Sequence, residues 1–109
     1  MSEKEIEKLL VQKVRQAGGR AYKFVSPGTT GVPDRLVVLP GGKIGFVEVK
    51  APGKTPRPEQ NYQIKCLEDL GCYVAVADNP GILDQIIREI AVYPDPDLQA
   101  YDPVTGGRL

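Results

Sequence analysis

Histidine does not occur among the 109 residues, and that absence narrows the chemistry more than any motif does. Ser-His-Asp and Cys-His catalysis, histidine-bound zinc hydrolysis and histidine-metal nucleases all require an imidazole. Any reaction here falls to carboxylates, amines or hydroxyls. Cysteine is scarce: Cys66 and Cys72 are too few for a disulfide framework or a zinc site and are expected as core thiols. No stretch approaches the roughly 18 apolar residues of a membrane span, and Met1 to Gly19 is charged and amphipathic rather than a signal peptide. A cytoplasm is therefore the expected compartment.

Excess charge of either sign is also missing, since 14 Lys and Arg balance 14 Asp and Glu. This argues against indiscriminate coating of nucleic acid. The balance hides a split: residues 1 to 58 carry 11 basic against 5 acidic side chains, a net of +6, and residues 59 to 109 carry 3 against 9, a net of −6. One part of the fold can face a polyanion while another stays acidic. With 41% apolar and 26% charged residues, the chain has the balance of one compact globular domain.

Ile6, Leu9, Leu10, Val14 and Ala17 recur at helical spacing, and Ser2 followed by Glu5 predicts a capping box that opens the first helix. Gly18-Gly19 ends it. Arg20 to Val25 reads as a strand, and Ser26 to Gly31 as a loop. Arg35 to Leu39 and Lys43 to Lys50 form a predicted hairpin around Pro40-Gly41-Gly42. After the loop Ala51 to Arg57, Pro58 suits the first position of a second helix that stops at Gly71. Tyr73 to Ala77 predicts a buried fourth strand. A third helix follows Asp78-Asn79-Pro80 and has Ile82, Leu83, Ile86, Ile87 and Ile90 on one face. The order is αβββαβα, a mixed four-stranded α/β sheet flanked by helices, with a right-handed crossover from strand three to strand four. Residues 1–92 are expected as the domain, and residues 93–109, rich in Pro, Gly and Asp, as a tail.

Period-two alternation sets Glu48 and Lys50 on one face of strand three. If Pro40-Gly41-Gly42 is a three-residue loop, Leu39 pairs with Lys43, Leu36 with Phe46 and Asp34 with Glu48, about 4.5–5.5 Å apart at Cβ. Two carboxylates that close repel one another unless a cation lies between them. Their hard oxygens suit Mg²⁺ or Mn²⁺. A two-residue loop instead sets Arg35 opposite Glu48, as a surface ion pair.

Gly31-Val-Pro-Asp-Arg35, Phe46-Val-Glu-Val-Lys50, Ala51-Pro-Gly-Lys54 and Gln60, in this order of elements, resemble the VRR-NUC family (virus-type replication-repair nucleases). This family is a branch of the PD-(D/E)XK superfamily with a restriction-endonuclease-like core. The resemblance covers residues 3 to 90 and extends to stand-alone phage members and Holliday-junction resolvases. It implies that Asp34 and Glu48 bind the catalytic metal, with the carbonyl of Val49 as a further ligand. Lys50 is implied to orient or activate the attacking water, and Gln60 to support the site. Glu7 matches the spacing of a helix-one glutamate in archaeal junction resolvases and is assigned to the metal or its waters, with Glu3 as the fallback.

Phosphodiester cleavage also needs flanking phosphates to be held, and Lys23, Arg35, Lys54 and Arg57 are candidates for that, with Ser26, Thr29 and Thr30 offering hydroxyls from a loop. Tyr22 and Phe24 are expected in the core rather than as stacking platforms. The resemblance implies a homodimeric endonuclease acting on branched DNA such as a four-way junction. A chain this short has little surface for reading base sequence. The competing possibility is a nucleic-acid-binding module that kept the fold and lost catalysis.

Overall fold

The computed structural model describes residues 1–94. Eight elements follow in chain order: α1 (Glu3–Gln16), β1 (Arg20–Lys23), β2 (Arg35–Leu39), β3 (Lys43–Val49), α2 (Pro58–Asp69), β4 (Val74–Ala77), a 3₁₀ turn (Pro80–Ile82) and α3 (Leu83–Val92). The αβββαβα order expected from the sequence is the order observed. The predicted capping box forms: Ser2 Oγ accepts the Glu5 N–H at 3.1 Å and Glu5 Oε1 accepts the Ser2 N–H at 2.9 Å.

The sheet runs β1-β2-β3-β4. The first three strands are an antiparallel meander and β4 is parallel to β3. Leu39 pairs with Lys43, Leu36 with Phe46 and Arg35 with Val47, which is the register of a three-residue loop. Gly41 and Gly42 turn that corner at φ +86° and +73°, in the left-handed region glycine favours.

One sheet face carries Val37, Val47 and Val49 and meets Ile6, Leu10 and Val14 of α1 and Leu83, Ile86 and Ile90 of α3 in a single core. Gly45 lies on the same face, and a Cβ there would come within 2.7 Å of Ile90 Cδ1, so the bare backbone is what lets α3 settle onto β3. The other face is thinly covered. Gln60 is the buried residue of α2, and Tyr22 and Ile44 remain 48% and 49% exposed.

That thin cover accounts for the departures from expectation. Tyr22 is not a core residue; Arg20 lies over its ring at 5.7 Å. Phe24 is half-buried against Phe46, with ring centres 5.5 Å apart. Cys66 and Cys72 are free but only partly buried; Cys66 lies on α2, which sinks little of itself into the protein, and Cys72 in the turn before β4. β1 ends at Lys23 rather than Val25. β4 is an edge strand in which Ala77 alone is fully buried.

Tyr93, the first residue of the expected tail, packs edge-on against Tyr73 and donates its hydroxyl hydrogen to the Gly71 carbonyl at 2.7 Å. The tail from residue 95 lies outside the described residues. No helix among the described residues is long and apolar enough to cross a membrane.

Candidate active site

The hairpin register brings Asp34 and Glu48 together at its open end. Asp34 directly precedes β2, where its carbonyl accepts the Phe24 N–H at 2.9 Å and its Oδ2 accepts the Val49 N–H at 2.9 Å. The fully buried Pro33 before it fixes the entry of the chain. Glu48 points to the α2 face and is 1% exposed, a rare depth for a carboxylate.

Two donors reach Glu48, and both reach the same oxygen. Gln60 Nε2 donates to Oε2 at 2.6 Å, and Lys50 Nζ stands 3.3 Å from it. Oε1 is buried with no hydrogen-bond partner. Burial, followed by the negative charge of the neighbouring Asp34 carboxylate, pushes the Glu48 carboxyl up to about 7, while Lys50 pulls the other way. The site is therefore short of positive charge. A buried acceptor with nothing to accept from, beside a second carboxylate, is a donor set that fits a hard divalent cation.

Gln60 owes its position to helix geometry. It is the third residue of α2, and its Oε1 accepts the Arg57 N–H at 2.9 Å, which meets one of the donors a helix start leaves unpaired. With the oxygen occupied there, the NH₂ is turned to Glu48. The loop ahead of Asp34 is tied to the same turn. Gly31 adopts φ +89°, and a Cβ on it would lie 2.4 Å from the Glu59 carbonyl oxygen. This contact joins the Pro-Asp segment to the start of α2, and the sequence reading did not identify it; the signal available was a glycine three residues ahead of the aspartate.

Glu7 takes a different position from the one expected. Its Oε2 accepts from Arg35 Nε at 2.8 Å, and Arg35 Nη1 donates to the Ala21 carbonyl at 3.1 Å. Arg35 follows Asp34 by one residue and so projects to the opposite, α1 side of the sheet. Among the described residues no three His, Cys, Asp or Glu side chains gather closely enough to hold an ion, so Glu7 does not join Asp34 and Glu48 here. The fallback Glu3 is exposed in the first turn of α1.

Of the candidate phosphate contacts, Arg35 is engaged by Glu7, and Arg57 pairs with Glu59 at 2.7 Å while remaining exposed. Lys23 and Lys54 are exposed, as are Thr29 and Thr30. Ser26 is half-buried, and its carbonyl accepts the Thr29 N–H at 3.0 Å.

A chain of Acyrthosiphon pisum secondary endosymbiont phage 1 named "Putative nuclease p44" is 60% identical over 80 residues, which span 73% of this chain and 86% of that one. A solved structure described as a VRR_NUC domain superposes with a TM-score of 0.74 and 31% identity, covering 80% of this chain and 95% of that one. The chain belongs to the VRR-NUC family. Its mixed sheet with three helices is the restriction-endonuclease-like fold of VRR-NUC nucleases. No family model matches the chain. Within the VRR-NUC fold, Asp34, Glu48, Lys50 and Gln60 are the expected residues that meet at one point.

Proposed function

We propose that the protein is a Mg²⁺- or Mn²⁺-dependent endonuclease that hydrolyses phosphodiester bonds in DNA, with Asp34, Glu48 and Lys50 at its centre. The observation that carries this reading is the unpartnered Oε1 of Glu48, buried next to Asp34 and two residues from Lys50. Asp34 and Glu48 would hold the cation. The N–H and C=O of a strand residue leave on the same side, so the carbonyl of Val49, whose N–H meets Asp34, is the proposed third ligand. When bound, the cation supplies positive charge against the charge building on the phosphate and makes water easier to deprotonate.

The chain's own groups divide the remaining work. Lys50 places a fixed positive charge beside the attacked phosphate and orients water there. Gln60 and the Val49 amide hold the two carboxylates in place, each by one short hydrogen bond. Glu7 is proposed to serve the waters around the cation, in exchange with Arg35, which holds it in the free protein. Lys23, Lys54, Arg57 and Ser26 are the proposed contacts to flanking phosphates, joined by Arg35 once Glu7 releases it.

Branched DNA, such as a four-way junction, is the proposed substrate, cut by a homodimer in a bacterial cytoplasm. Support for the dimer comes from the open sheet face, where Tyr22 and Ile44 stay half-exposed and a second copy can cover them. The deciding experiment incubates labelled duplex, nicked, flap and four-way-junction DNA with wild type and Lys50→Ala in Mg²⁺. Wild type is expected to cut the junction fastest, and the variant to be slower by at least ~100-fold. No cutting of any substrate by wild type sinks the catalytic reading and leaves a binding module. Equal cutting of all of them removes the preference for branches.

A further inference from the structure

The positive half of the sequence has a location that the catalytic cluster does not account for. Along α1, Lys4, Lys8, Val11 and Arg15 are spaced by four, three and four residues and form one helical stripe. The stripe faces β1, which among the described residues has no strand on its outer side. Between them runs a groove of about 600 Å³ lined by Arg15, Arg20, Tyr22 and Lys23, which continues past Val11 into a hollow of about 350 Å³ lined by Lys4 and Lys8. Lys23 and Arg35 line both parts.

The acid in the groove, Glu7, is already neutralised by Arg35. Lys4, Lys8, Arg15, Arg20 and Lys23 form no ion pair among the described residues. Edge strands often carry Lys or Arg to discourage pairing with another sheet, which can explain Arg20 and Lys23. It does not explain three cations on the helix opposite, turned toward the same space.

We propose that this groove holds duplex phosphodiester backbone lying beyond the scissile phosphate, as a second contact zone separate from the catalytic cluster. The inference rests on the nuclease reading for its direction: Arg35 follows Asp34 and pairs with Lys23, so the groove starts at the strand end that carries the site, on the α1 side of the sheet, and leads away from it. From Lys4 to Arg15 a helix advances about 16 Å, or about five base-pair steps of duplex at 3.4 Å each. A row of like charges at that reach matches a regular polyanion better than a folded protein surface.

The test uses the full chain and a fluorescein-labelled 30-base-pair DNA duplex in EDTA, with anisotropy followed from 50 to 300 mM NaCl. Lys4→Gln/Lys8→Gln/Arg15→Gln is expected to bind at least ~10-fold more weakly and to lower the slope of log K against log salt by about 2 to 3, at roughly 0.9 for each phosphate lost. Lys65→Gln/Arg88→Gln, which removes two cations from α2 and α3, is expected to bind as wild type. At saturating DNA with Mg²⁺, the triple variant should cut as fast as wild type. Unchanged affinity and slope in the triple variant overturn the groove and leave the catalytic reading standing. Groove-dependent binding by a wild type that cuts nothing overturns the catalytic reading and leaves the groove.

Discussion

Gln60 donates to Glu48 Oε2 at 2.6 Å while its own Oε1 accepts the Arg57 N–H at 2.9 Å. One amide thus caps a helix and fixes a carboxylate. Gln60→Ala removes both bonds, and a loss of about 1–2 kcal/mol is expected in urea unfolding. Gln60→Glu can retain the cap oxygen but sets a third carboxylate beside Glu48. It should keep most of the stability in Mg²⁺ and lose activity. Wild-type cleavage by Gln60→Glu would show that the NH₂ of Gln60 has no role at Glu48.

Glu48 also predicts an unusual pH dependence for the metal-free protein. Its carboxyl is raised from the ordinary 4.5 to about 7 in the folded state, chiefly by burial. Between those values the native state binds more protons than the unfolded one. The stabilisation is therefore fully present below about 4.5 and is lost as pH rises through about 7. The carboxyls lowered in the native state, Glu5, Glu59 and Glu89, act in the opposite sense and on the acid side of that window. In EDTA, Tm is expected to fall from pH 5 to pH 8, with a shallower fall in Glu48→Gln. Adding Mg²⁺ at pH 8 should restore wild type but not Asp34→Ala. A flat wild-type profile would contradict the buried, charge-starved carboxyl.

Gly31 holds the approach to Asp34 against α2. An alanine Cβ would meet the Glu59 carbonyl oxygen at 2.4 Å, in a backbone conformation that L side chains rarely adopt. Gly31→Ala is expected to cost about 1–3 kcal/mol and to slow cleavage, since the displaced turn carries Gln60. Gly28, whose Cβ would meet nothing within 4 Å although its φ is +88°, is the comparison. Gly28→Ala should show only the backbone penalty and cleave normally. Equal effects of the two on cleavage would refute the docking role.

The Glu7–Arg35 pair separates two roles for Glu7. If Glu7 serves the waters of the cation, Glu7→Gln weakens Mn²⁺ binding several-fold in calorimetry, and Arg35→Met, which frees Glu7, does not. If Glu7 only steadies Arg35, Mn²⁺ affinity is unchanged in Glu7→Gln and DNA affinity shifts instead.

Local rules made the centre of the site legible in the sequence. A three-residue loop at Pro40-Gly41-Gly42 dictates the pairing and alternation along β3 puts Glu48 beside Lys50, whereas Gln60 was reached only through the family resemblance, because its cap to Arg57 is a feature of the folded helix start. The Glu7–Arg35 contact depends on which sheet face α1 covers, a tertiary fact. The parity of Arg35 against Asp34 already separated the two residues, so the expectation that Arg35 was free for phosphate overlooked an available signal. Tyr22 and Cys66 read as core because their types are usually buried; how little α2 covers cannot be read from either residue. Val74 to Ala77 looks the same in sequence whether a further strand lies outside it or none does.

The hairpin of β2 and β3 is closed at one end by its turn and at the other by a side chain, Asp34 Oδ2 taking the Val49 N–H. Its final rung is thus made by a carboxylate oxygen and not by a backbone carbonyl. Anything that draws this oxygen away unfastens the rung, so amide deuterium uptake at Val49 becomes a gauge of what Asp34 is bound to, readable on unlabelled substrate before any bond is cut.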